Sequence, residues 1–187
     1  MSKTTTIEYR DVSNRTPIPD AMSARALQRA GILIHGTAGR QSLAWMQRRE
    51  PDPNKRSSAD YLINRSGTIL QVGRPRFYCY HAGALAWRGQ RLSPLQANQM
   101  FIGVELENIE DGIEPITDLQ YIACAALIRR LCLFHKLPVT NIDSHGNLAI
   151  PRGRKTDPKT LSWPILTREL ISPSKEAWHI RWPEVLP

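Results

Sequence analysis

Gly31-Ile32-Leu33-Ile34-His35-Gly36-Thr37-Ala38-Gly39 is the stretch on which the fold turns. Three apolar residues bounded by glycines read as a short buried strand, so His35 stands at the end of a core strand with Gly36-Thr37 beside it. Upstream, Met22 to Ala30 is compatible with a helix. Downstream, Ser42 to Arg49 can form a short helix, and Glu50 to Ser58, rich in Pro, Asn, Lys and Ser, reads as loop. A hairpin follows: Tyr61 to Asn64, a turn at Arg65-Ser66-Gly67, then Thr68 to Val72.

Arg74 to Ala97 shows few regular signals and reads as a long surface loop holding His81 and Trp87, the kind of loop that often binds ligands. Phe101 to Asn108 is the next strand. Its alternation sets Ile102, Val104 and Leu106 on one face, and Gly103, Glu105 and Glu107 on the other. Thr117 and Gln120 have the spacing of a capping box, and Tyr121, Cys124, Ala125, Ile128, Leu131, Cys132 and His135 recur with helical period. Residues 117 to 136 therefore read as one central helix, stopped by Pro138. Val139 to Ile142 suits a short strand, Ser144 to Thr160 is turn-rich and basic, and four prolines break up a tail from Trp163 to Pro187 with little periodicity.

The 187 residues fit one domain able to bury a core without disulfides, with a motif-bearing part at about 30 to 160. Hydrophobic residues at 41% and charged residues at 22% are globular values, which exclude a disordered or fibrous chain. The formal charge of +8 favours polyanions. No nucleic-acid signature accompanies it, so specific nucleic-acid binding is not expected. Residues 1 to 20 lack the apolar core of a signal peptide, and no run approaches a membrane span, so the chain is expected to be cytoplasmic at synthesis. Cys79, Cys124 and Cys132 show no metal spacing and read as reduced structural thiols.

Catalytic zinc usually takes three protein ligands and leaves a position open for water. The histidines here are scattered: His35 at a strand end, His81 and His145 in loops, His135 at a helix C-terminus where the dipole favours it, and His179 in the tail. No compact metal motif such as H-E-x-x-H occurs.

Five blocks in order carry a resemblance. They are His35-Gly36-Thr37-Ala38-Gly39; Ser58-Ala59-Asp60-Tyr61-Leu62-Ile63 with Gly67-Thr68-Ile69; Tyr80-His81-Ala82-Gly83 with Trp87; Ile102-Gly103-Val104-Glu105-Leu106-Glu107; and Ser144-His145 with Gly153-Arg154-Lys155-Thr156-Asp157-Pro158. Together they resemble the zinc-dependent N-acetylmuramoyl-L-alanine amidases, type 2, that share the fold of peptidoglycan recognition proteins. The resemblance implies an α/β fold, a mixed central sheet of about five or six strands with the 117 to 136 helix on one face and the groove on the other.

It also implies one zinc ion held by His35, His145 and Asp157. Two imidazoles and one carboxylate leave such a metal net positive, able to polarise a carbonyl and acidify water. Glu105 matches the proton-transferring glutamate, with Glu107 its rival on the same strand face, and Lys155 matches the lysine that faces the developing oxyanion. Thr37, Ala38, His81 and Trp87 would line the substrate groove, although Trp87 fits a core position equally well. Asp60 stands where many relatives carry His. By this resemblance the chain hydrolyses the bond between N-acetylmuramic acid and L-alanine in peptidoglycan or muropeptides, as a monomer. The basic surface suggests a phage-type endolysin that acts on the wall once released. The alternatives are a cytosolic muropeptide-recycling amidase and a non-catalytic peptidoglycan-binding module.

Overall fold

The computed structural model describes residues 7–13, 28–47, 57–73, 77–174, 180 and 182. In chain order the elements are β1 (Tyr9–Asp11), β2 (Gly31–Gly36), α1 (Ser42–Met46), β3 (Tyr61–Ile63), β4 (Ile69–Gln71), β5 (Leu85–Trp87), β6 (Gln90–Leu92), α2 (Pro94–Met100), β7 (Phe101–Leu106), α3 (Asp118–His135), β8 (Ile142–Ser144), α4 (His145–Leu148) and α5 (Trp163–Ile171). Six strands form one mixed sheet in the order β1-β4-β3-β7-β2-β8, and β5 pairs with β6 in a separate hairpin. Strands β3, β7, β2 and β8 run parallel, while β4 turns back against β3 and carries β1 with it.

The period of two along each strand divides the core. Ile32, Ile34, Ile102, Val104, Leu106, Tyr61 and Ile63 point to one face and pack against α3. On the other face Leu33 and Phe101 meet Leu85, Leu92 and Ala97, from the hairpin and α2. Helix α3 lies between the sheet and α5, which explains why it is apolar nearly all round.

The capping box at its start is present. Gln120 N–H donates to Thr117 Oγ1, and Thr117 N–H donates to Gln120 Oε1, both at 3.1 Å. The amide of Gln120 then donates onward to the carbonyls of Ile63 and Glu107, at 3.2 and 3.0 Å, tying the helix start to two strand ends. Cys79, Cys124 and Cys132 are all free and buried. Among the described residues no helix is long and apolar enough to cross a membrane.

Four sequence expectations need correction. Arg74 to Ala97 is not one surface loop: it contains β5, β6 and the start of α2, and His81 and Ala82 within it are buried. Three-residue strands are too short to show a period, but Ser93-Pro94-Leu95-Gln96 did hold a helix-start signal, a capping box with Pro in the first turn. The strand expected at Val139 to Ile142 lies instead at Ile142–Ser144, paired with Ile32 to Ile34. Its polar Asp143 and Ser144 hide it from a hydrophobicity reading. The proline-broken tail begins as α5, since Pro164 falls in the first turn, where its missing N–H costs nothing. Of the helix read at Met22 to Ala30, residues 22 to 27 lie outside those described and 28 to 30 are not helical. Arg48, Arg49, most of Glu50 to Ser58, and His179 also lie outside them.

Leu166 on α5 is fully buried against α3, whereas Ile171 on the same helix is 79% exposed. Leu166→Ala should therefore cost about 2–5 kcal/mol, against roughly 0.5 kcal/mol or less for Ile171→Ala. Urea unfolding of both variants checks this, and equal small effects would show that α5 is not part of the core.

Candidate metal centre and active site

Parallel pairing of β2 with β7 sets His35 opposite Glu105, at the carboxyl ends of two adjacent strands. On the other side of β2, Ser144 of β8 pairs with Ile34, and His145 follows it as the first residue of α4. The long segment after α4 returns to the same place, because Gly146 N–H donates to the carbonyl of Asp157 at 2.8 Å. Three strand ends and one returning loop thus meet where ligands commonly bind in α/β sheets.

His35, His145 and Asp157 come together there. His35 Nδ1 lies 3.1 Å from His145 Nδ1 and 3.3 Å from Asp157 Oδ2, and His145 Nδ1 lies 3.2 Å from Asp157 Oδ2. This nearly equilateral set of lone-pair atoms is compact enough for one small metal ion. Burial pushes the His35 pKa down to about 4, so the ring is neutral near pH 7. Burial alone would raise the Asp157 pKa, but the polar contacts of its Oδ2 with the two imidazoles outweigh it and hold the carboxyl well below its ordinary range. The cluster is therefore a charge of one carboxylate on two imidazoles, a donor set for a dication.

Glu105 is 8% exposed, and its Oε2 is buried with no hydrogen-bond partner among the described residues. Burial, reinforced by the negative charge of Asp157 and opposed by Lys155, pushes its pKa up to about 8. A carboxyl tuned close to neutral pH can both take and give a proton. It opens on a groove of about 640 Å³ whose lining includes His35, His145, Asp157 and Lys155. Lys155 is an exposed residue of the groove wall.

Glu107 lies one residue beyond the end of β7 and is not among the groove-lining residues. The strand alternation that made it a rival ends at Leu106. Thr37 and Ala38 line the groove, though the Thr37 hydroxyl is engaged with the Gly39 and Asn108 carbonyls at 2.9 and 3.2 Å. Trp87 does not line it: the indole packs edge-on to Phe101 at 5.1 Å, in its core reading. His81 is among the groove-lining residues, but only as a buried one. Its side chain is 0% exposed and lies behind His35, with burial pushing its pKa well below the ordinary value. Asp60 is buried, accepting from Gly103 N–H at 2.8 Å and from Arg29 at 3.0 Å, and stands outside the three-residue cluster.

One groove residue had no signal in the sequence. Glu110 lies in the irregular segment after β7, with φ of 58°. Its Oε2 accepts from Lys159 N–H at 2.8 Å, while its carboxyl lies over Gly36, where any side chain would come within 1.8 Å of Oε1. Arg40, Arg154 and Lys159 join Lys155 around the groove, so its rim is basic and suited to an anionic ligand.

Known proteins with related sequences share this arrangement of the chain. It is 34% identical over 110 residues to 1,6-anhydro-N-acetylmuramyl-L-alanine amidase AmpD of Salmonella typhimurium, covering 58% of this chain and 54% of that protein. The chain thus spans about half the length of the curated relatives it matches. The solution structure of Citrobacter freundii AmpD superposes with a TM-score of 0.59 at 26% identity, covering 88% of this chain and 91% of that one. A crystal structure of a selenomethionine AmpD derivative gives a TM-score of 0.64 at 23% identity over 87% of this chain and 93% of that one, a likeness of fold. The Amidase_2 family, described as N-acetylmuramoyl-L-alanine amidase, matches residues 26–160, which run from before β2 to beyond Asp157. Since that match takes in well over half of the chain, together with five of the six strands of the sheet and the whole His35-His145-Asp157 cluster, the chain belongs to the Amidase_2 family of N-acetylmuramoyl-L-alanine amidases.

Proposed function

We propose that this chain is a zinc-dependent amidase that hydrolyses the bond between the lactyl group of N-acetylmuramic acid and L-alanine, acting on soluble anhydro-muropeptides. The observation that carries the chemistry is the triangle of His35 Nδ1, His145 Nδ1 and Asp157 Oδ2, with edges of 3.1 to 3.3 Å. Zinc bound tetrahedrally at about 2.0–2.1 Å keeps its ligand atoms about 3.3 Å apart, so these residues fit it without rearrangement. The buried, unpartnered Oε2 of Glu105 beside the triangle supports the same reading.

A zinc ion held there would polarise the scissile carbonyl and lower the pKa of water. Glu105 takes a proton from the attacking water at Oε2 and delivers it to the leaving amine nitrogen, for which a pKa near neutrality is needed in both directions. The Lys155 ammonium, on the groove wall, faces the carbonyl oxygen as negative charge develops on it. Burial of His35, His145 and Glu105 keeps bulk water from competing for these charges.

For substrate form, the names of the curated relatives favour soluble 1,6-anhydro fragments over the endolysin expectation. The basic rim suits the carboxylates of a stem peptide in either case. The endolysin reading keeps one observation in its favour, the formal charge of +8, which could concentrate the protein on an anionic envelope.

Glu105→Gln should keep its zinc and lose roughly 10²–10⁴ in turnover, whereas Glu107→Gln should stay close to wild type. Metal analysis and initial rates together check the assignment, with His145→Ala and Asp157→Ala as variants that lose zinc and activity alike. An equal loss in Glu107→Gln with zinc retained would exchange the two glutamates.

Metal-free stability should carry the mark of Glu105 as well. Its folded pKa of about 8 stands above the ordinary 4.5, so the folded state binds the extra proton and loses stability as pH rises between those values. Glu105→Gln has no such proton to lose. Denaturant unfolding of chelator-treated protein from pH 4 upward should show the stability of the wild type falling relative to Glu105→Gln. A constant difference across that range would mean that Glu105 is not held neutral.

Substrate form is decided by mass spectrometry of products from anhydro-muropeptides and from purified sacculi, at low and near-physiological salt. Fast, weakly salt-dependent release of peptide from the soluble fragments is expected, with little from sacculi. Preferential cleavage of sacculi that falls steeply with salt would restore the endolysin reading.

A further inference from the structure

His35 has two ring nitrogens, and only one of them faces His145 and Asp157. Nδ1 points into the triangle, while Nε2 points back into the core, 3.0 Å from His81 Nδ1. For Nδ1 to offer a lone pair, the proton of the neutral ring must sit on Nε2. Something behind the ring must therefore accept that proton.

His81 is set up to do so. Its own Nε2 is 3.2 Å from the carbonyl oxygen of Phe101, which can only accept, so that nitrogen carries the ring's proton and Nδ1 is left with its lone pair. The hydrogen-bond order is then fixed as His35 Nε2–H to His81 Nδ1, and His81 Nε2–H to Phe101 O. We infer that His81 is a positioning residue that locks His35 in the tautomer with a free Nδ1 and so strengthens the metal site, an inference that rests on the zinc reading above.

The surroundings of His81 hold it in this orientation. Asn98, 3% exposed, accepts through Oδ1 from the backbone N–H groups of both His81 and Ala82, at 3.0 and 2.8 Å. The ring rests on the open face of Gly103 in β7, where a Cβ would come within 2.6 Å of it. Asp60 accepts from Gly103 N–H at 2.8 Å and fixes that stretch of β7 in turn. His145 has no equivalent support, since its Nε2 is buried without a hydrogen-bond partner among the described residues. Orientation of the imidazole pair therefore depends on the His35 side. Although His81 is among the groove-lining residues, its side chain is 0% exposed and its ring faces His35.

Two substitutions separate this role from general packing. His81→Asn places an amide oxygen near the position of Nδ1 and keeps the acceptor. His81→Gln reaches toward Phe101 and loses it. Zinc affinity, measured by chelator competition, should stay within a few-fold of wild type in His81→Asn and fall roughly 10–100-fold in His81→Gln, the usual effect of losing such a partner. Long-range ¹H–¹⁵N correlation spectra of the metal-free wild type should show His35 protonated at Nε2. Wild-type affinity in His81→Gln, loss in His81→Asn equal to that in His81→Gln, or a His35 proton on Nδ1 would each overturn the inference. The spectrum of the wild type decides alone if a variant does not fold. A wild type that binds no zinc, or binds it as tightly after His145→Ala, would remove the zinc reading itself and this inference with it.

Discussion

Parallel pairing of β2 with β7, in the register that sets His35 against Glu105, is the constraint from which the rest of the site follows. A shift of one residue in either strand would turn its side chain to the α3 face of the sheet. The register is held because Ile32, Ile34, Ile102, Val104 and Leu106 are all needed on that face to cover α3. The apolar side of the sheet thus specifies the polar side. Helix α3 contributes to the site without touching it, through the burial it demands.

Burial then does the chemical tuning. The same removal from water that pushes His35 down to about 4 pushes Glu105 up to about 8, so the imidazole and the carboxyl both tend to be neutral. Asp157 escapes this because the contacts of its carboxylate with two imidazoles outweigh the burial. One negative charge is therefore retained in the cluster, beside a carboxyl tuned close to neutral pH and under a rim of cationic side chains. Three non-glycine residues near or lining the groove, Ala38, Gln41 and Glu110, have left-handed backbone with φ of 54°, 58° and 58°. Such conformations persist where surrounding structure fixes them, and here they bend the chain around the groove wall.

The contrast between His81 and Trp87 shows how far local sequence reaches. Both belong to a stretch that resembles known amidases, and both were read as groove residues, with a core position equally open to Trp87. Trp87 packs on Phe101, whereas His81 is among the groove-lining residues with its side chain buried behind His35. A residue can be singled out by a motif while the motif says nothing about which layer of the site it occupies. That depends on which face of β7 is left open, and Gly103 is the residue that opens it.

What the sequence determined by itself was whatever depends on neighbours in the chain: the β2 and β7 strands, the β3–β4 hairpin, the capped helix α3 and, through ordered motif blocks, the choice of His35, Glu105, His145, Lys155 and Asp157 as candidate site residues. Periodicity and caps are local, and they were read with nearly the observed bounds. The tertiary structure decided the rest. Strands β5, β6 and β8 are three residues long, too short for a local period to announce them, and β8 finds its partner β2 far away in the chain. Glu110 enters the groove from an irregular segment, clamped by Lys159 from 49 positions further on. The choice of Glu105 over Glu107 depends on where β7 leaves the sheet, and the place of His81 on a cavity above one glycine. Each of these is a distance between groups remote in sequence, and such distances exist only once the sheet has formed.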